Sequence, residues 1–138
     1  MASYILNKKV KTLETDIFAK SCGIAAYNGS LASENSVKAL KEIDIDLSDH
    51  RSKMLTKEDV EQADIVLTMT NSHKLHILQY FSECSEKVYT LHEYSTKEKL
   101  DISDPFMGSI EIYRACRDEI NHLLEIVVNN ILKCQSLL

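Results

Sequence analysis

Asp64-Ile65-Val66-Leu67-Thr68-Met69 is the plainest β-strand in the chain, and it dictates the architecture. Its almost unbroken apolar and β-branched run suits a parallel strand covered by helices on both faces. Just upstream, Thr56-Lys57-Glu58-Asp59 opens a helix, with Thr56 as cap and Asp59 completing a near capping box. Just downstream, Ser72 is placed to cap a helix running to about Phe81, with Leu75, Leu78 and Phe81 along one side. Lys87–Leu91 then reads as the next strand.

The outer parts of the chain continue the pattern. Ala2–Lys11 reads as a short helix with Tyr4, Ile5, Leu6 and Val10 on its apolar side. Ile17-Phe18-Ala19 predicts a strand from about Asp16 to Ser21, and Tyr27-Asn28-Gly29-Ser30 a turn. Ser33 caps a helix carrying Val37, Leu40 and Ile43 at helical spacing. Ser109 to about Cys134 is a long closing helix whose buried stripe reads Ile112, Cys116, Ile120, Leu123, Leu124, Val127, Val128 and Ile131. Strands alternating with helices imply an α/β fold in three layers, a short parallel sheet with helices on both faces. Residues 1–138 read as a single domain. Such sheets bind ligands at the carboxyl ends of their strands, so the loops after Ser21, Met69 and Leu91 form the functional edge.

Composition narrows the function classes. Hydrophobic residues make up 44% of the chain, and its net charge is −5. The acidic balance argues against nucleic acid or an anionic membrane as partner. No apolar run is long enough to span a bilayer, and MASYILNKKVK lacks the order of a signal peptide. Cys22, Cys84, Cys116 and Cys134 are scattered, as in a reducing cytoplasm, and match no zinc or C-x-x-C spacing.

Asp104-Pro105-Phe106 lies just before the closing helix. Proline fixes the backbone beside the carboxylate, and Phe106 is placed to wall off water, which would suit Asp104 to general acid catalysis. An aspartate before proline is equally a plain loop or capping residue. A phosphatase that uses such an acid with a cysteine nucleophile needs a C-x5-R loop, whose amides and guanidinium surround the phosphoryl group and activate the thiolate. Six residues after Cys22, Cys84 and Cys116 stand Asn28, Thr90 and His122, and Cys134 is too near the end. His73 and His76 share a helix face without further ligands nearby, so no metal or other cofactor is implied. His50-Arg51-Ser52 is a polar cluster, and Lys97-Glu98-Lys99 reads as a solvated face.

These residues resemble the low-molecular-weight protein tyrosine phosphatase family over essentially the whole chain. Ser21-Cys22-Gly23-Ile24 is similar to the family's Ser-Ala-Gly-Ile, with Cys22 in place of Ala. ALKEIDIDLSDHRSKMLTKEDVEQADIVLTMT (residues 39–70) resembles its middle region, and KVYTLHEY and DISDPFMGSIEIYRACRDEI its acid-loop region. The Asp-Pro-Phe form resembles the bacterial protein arginine phosphatase branch, since tyrosine-directed members more often carry Tyr at the position of Phe106. Met107 departs from that branch, which usually has Gly there.

The resemblance implies hydrolysis of phosphotyrosine or phosphoarginine in a phosphorylated protein substrate, through a phospho-cysteine intermediate and without cofactor. It implies Asp104 as the acid and base, Phe106 as the aromatic flanking the substrate, and His50 as a support of the phosphate loop. It also starts late. Met1-Ala2 coincide with the family's Met-Ala after the C-x5-R-S loop, so the family's first strand, nucleophile and arginine fall upstream of residue 1. Two expectations follow: an inactive chain as it stands, and a sheet lacking the central strand between Asp16–Ser21 and Asp64–Met69. The rival readings on the same fold are a non-catalytic binding module and, less favoured because Cys84 stands alone in its region, an arsenate reductase. The sequence sets no oligomeric state.

Overall fold

The computed structural model describes residues 1–137. Helix α1 spans Ala2–Lys11, α2 Glu34–Lys41 and α3 Lys57–Gln62. Strand β1 (Val66–Thr68) leads through α4 (Asn71–Tyr80) and a 3-10 turn (Ser82–Lys87) to β2 (Val88–Thr90). Helix α5 (Leu91–Thr96) follows at once, and α6 (Ile110–Ser136) closes the chain.

β1 and β2 pair in parallel, with Val66 opposite Val88, Leu67 opposite Tyr89 and Thr68 opposite Thr90. Alternation along these strands divides the core into two layers. Val66 and Val88 face a cluster with Val60 of α3 and Ile77 of α4. Leu67 and Met69 face the larger cluster, built from Ile5, Leu6 and Val10 of α1, Leu40 of α2, Leu91 of α5 and the buried side of α6. This is the three-layer α/β arrangement. Leu40, Val60, Leu91 and Val127 are fully enclosed, and truncating Leu40 to Ala would cost about 2–5 kcal/mol.

The third predicted strand does not form. Asp16–Ser21 carries no regular secondary structure, although its burial alternates as a strand's would: Ile17 and Ala19 are half-buried, while Phe18 is 69% exposed. A strand needs a backbone partner. The Ile17 amide donates locally to Thr15 Oγ1 at 3.4 Å, and the long-range bonds come from Asn7 of α1, which donates to the Ala19 carbonyl at 2.9 Å and accepts from the Ala19 amide at 2.8 Å. The sheet therefore has two strands.

Other boundaries also shift. Thr70, not Ser72, caps α4, its hydroxyl accepting from the His73 amide. Ile77 is the buried residue of that helix, whereas Leu75 is exposed. Ile112 of α6 is exposed, and Tyr113 and Arg117 take its expected place inside. Thr56 and Asp59 do form a full capping box. No helix among the described residues is long and apolar enough to cross a membrane.

Candidate active site

The segment between α5 and α6 is tied down residue by residue before it reaches Asp104. The Asn71 amide donates to Asp101 Oδ1 at 2.7 Å, and the Ile102 amide to the Met69 carbonyl at 2.9 Å. Ile102 is buried, and the Cys116 thiol of α6 donates to the Ser103 carbonyl at 3.7 Å. These bonds hold the segment at the carboxyl end of β1, where parallel sheets present their ligand sites.

Asp104 then opens a tight loop. Its Oδ1 accepts from the Phe106 amide at 2.9 Å, the side-chain turn that aspartate forms readily. The Gly108 amide closes a turn onto the Pro105 carbonyl at 2.8 Å, which leaves Met107 left-handed at φ 60°. A side chain at Gly108 would meet the Pro105 carbonyl oxygen at 2.8 Å, so this position needs glycine.

The start of α2 braces the loop from the other side. Asn35 Nδ2 donates to the Gly108 carbonyl at 3.1 Å, and the Ser33 and Tyr113 hydroxyls lie 3.2 Å apart. A cleft of about 270 Å³ remains between Ser33–Asn35 and Phe106–Gly108.

The expectation that Phe106 walls Asp104 from water is not met. Phe106 is 71% exposed and Met107 88%, and Asp104 is exposed as well. The loop instead presents an accessible carboxylate on a rigid turn beside an accessible aromatic ring. Such a pair can pass a proton to a departing group and pack against the remainder of a substrate.

His50 lies half-buried in the loop before α3, its ring edge-on to Tyr4 at 5.5 Å between centroids. Burial pushes its imidazole below the ordinary value, helped by the positive charges of the Met1 amino group and Arg51. A neutral ring offers one donor and one acceptor, as a hydrogen-bonding support requires.

The two perturbed thiols shift the wrong way for a nucleophile. Burial pushes Cys116 up, with Glu119 adding to the effect, and burial followed by Asp59 raises Cys22. His73 and His76 take part in no metal-competent cluster among the described residues, and His76 packs on Tyr80. Asn35 escaped the sequence reading because nothing local marks a residue that bonds a carbonyl 73 positions away.

Known proteins resemble this chain in sequence and fold. The family profile for low molecular weight phosphotyrosine protein phosphatase matches residues 1–136. A protein-arginine-phosphatase of Geobacillus stearothermophilus is 40% identical over 124 residues, covering 90% of this chain and 80% of the relative. That of Bacillus subtilis (strain 168) is 41% identical over 118 residues, covering 86% and 78%. A solved arginine phosphatase, a cysteine-to-serine mutant with a phosphorylated active-site serine, superposes with a TM-score of 0.94 at 36% identity, covering 99% of this chain and 90% of that one.

Proposed function

Because the chain belongs to the low molecular weight phosphotyrosine protein phosphatase family, we propose that Asp104 is the general acid and base of a phosphatase acting on phosphoarginine or phosphotyrosine in proteins. The observation that carries this reading is the braced Asp104 loop, whose carboxylate is accessible yet fixed by its own turn and by Asn35. In the first step Asp104 protonates the leaving nitrogen or oxygen as a cysteine thiolate takes the phosphoryl group. In the second, the Asp104 carboxylate accepts a proton from the water that hydrolyses the phospho-cysteine. Phe106 packs against the substrate beside the phosphoryl group, and His50 supports the phosphate-binding loop. Two relatives named protein-arginine-phosphatase support phosphoarginine rather than phosphotyrosine as the substrate in this reading.

The nucleophile and its arginine must come from a C-x5-R loop, and these 138 residues contain none. By itself the chain supplies the acid side of the reaction and no phosphoryl acceptor, and we infer that it is inactive in that form. The same absence favours one second reading, a non-catalytic module that uses the exposed Phe106–Met107 edge to bind a partner.

Joining an apolar strand followed by C-x5-R-S ahead of Met1 tests the first reading. Hydrolysis of phosphoarginine should appear, and Asp104→Asn should lower kcat by about 10²–10⁴. A joined protein that folds and holds phosphate but turns nothing over would favour the binding module.

A further inference from the structure

His92 has no part in the chemistry above, yet it is only 7% exposed and is set between two carboxylates. It is the second residue of α5. Its Nε2 lies 3.0 Å from Glu119 Oε1 on α6. Its Nδ1 is buried and, among the described residues, has no hydrogen-bond partner. Glu98 Oε2 stands 3.9 Å from that nitrogen, beyond bonding distance.

Glu98 is held in this position. α5 ends on Lys97 in the left-handed conformation at φ 64°, which turns the chain back toward the helix. The Thr96 hydroxyl lies 2.9 Å from Glu98 Oε2 and 3.1 Å from the His92 carbonyl, and donates its one proton to either of them. Other titratable groups on these elements are Lys97 and Lys99 on either side of Glu98, and Cys116 and His122 one turn before and after Glu119. The Lys97 ammonium lies over the Tyr94 ring at 5.7 Å.

The chemistry of a neutral imidazole accounts for the gap. A carboxylate can only accept, so the Glu119 contact places the ring proton on Nε2. Nδ1 then presents a lone pair toward the Glu98 carboxylate, and two acceptors do not bond. A proton taken from solvent onto Nδ1 turns that repulsion into a charge-assisted hydrogen bond, after a movement of Glu98 of about 1 Å.

We propose that His92 is a proton-operated clasp: the protonated ring grips Glu98 with Nδ1–H and Glu119 with Nε2–H, tying the segment that leads to Asp104 onto α6. The segment from Glu98 is already anchored downstream at Asp101, Ile102 and Ser103. The clasp adds a hold at its upstream end.

An NMR titration of the 138-residue protein from pH 8 to pH 5 tests this. At pH 8 the ring nitrogens should report a proton on Nε2 and a bare Nδ1. As the ring protonates, the Glu98 carboxyl carbon should shift in step with it, and the backbone amides of Glu98–Leu100 should lose fast motion. Glu98→Ala removes a mostly exposed side chain and leaves the core intact. It should weaken proton binding by the ring roughly tenfold and abolish the change in the amides. An Nδ1–H tautomer at pH 8, or a ring titration that Glu98→Ala leaves unmoved, would overturn the clasp.

Discussion

The side chain of Asn35 holds the Asp104 loop shut from outside it, donating to the Gly108 carbonyl at 3.1 Å from the first turn of α2. This places the brace on the layer of helices packed around α6 rather than on the sheet. Asn35→Ala should leave α2 folded and release that carbonyl. We expect a loss of about 1 kcal/mol in a urea melt and faster hydrogen exchange at Gly108, whose amide closes the turn. Unchanged exchange there would mean that the turn holds without its brace.

Met107 has a left-handed backbone, which costs a side-chain-bearing residue about 1–2 kcal/mol. Its side chain is 88% exposed, so little packing compensates. Met107→Gly should relieve the strain, partly offset by glycine's greater freedom when unfolded. The expected net result is a gain of up to about 1 kcal/mol in thermal or urea unfolding. A clear loss would show that Met107 makes contacts that stabilise the turn.

Glu42 gives the protein a defined acid sensitivity. Arg114 chiefly, and then Arg117, hydrogen-bond its carboxylate and lower it from the ordinary 4.5 to about 2. The folded state therefore releases this proton more readily than the unfolded state. The group's contribution is fully present above about pH 4.5 and disappears as the pH falls toward 2. Urea melts at pH 5, 4 and 3 should show wild type losing stability faster than Glu42→Gln. Parallel curves would remove Glu42 from the acid response.

Asn7 takes the place of a strand partner for the Asp16–Ser21 segment by bonding both backbone groups of Ala19. Asn7→Ala should free the segment, with a loss of about 1–2 kcal/mol and faster exchange at Ala19. Protection that persists at Ala19 would point to another partner for that segment.

Much of this architecture was legible in the sequence because its signals are local. Thr56 with Asp59 forms the capping box that their spacing predicts, and Ser33 caps α2 through the Ser36 amide. The apolar run at β1 pairs in parallel as its composition suggests. The sequence reading ends the strand at Leu91 and assigns no element to His92–Thr96, although Thr90-Leu91-His92-Glu93 is itself a capping-box pattern: α5 is only six residues long. Phe18 has a strand's composition, but strand formation depends on a neighbour outside its own sequence. The candidate site divides in the same way. Asp104, Phe106 and His50 were visible as residue types, whereas the Asn35 brace and the openness of Phe106 depend on packing between distant segments.

The most direct test of the central claim is the rate at which the purified 138-residue chain hydrolyses phosphoarginine. On the proposed reading Asp104 is an acid for which these 138 residues supply no C-x5-R nucleophile, so the rate should not exceed that of buffer, and Asp104→Asn should leave it unchanged. Turnover that exceeds buffer and falls with Asp104→Asn would contradict the account, because it would require a nucleophile among residues whose perturbed thiols are raised rather than activated.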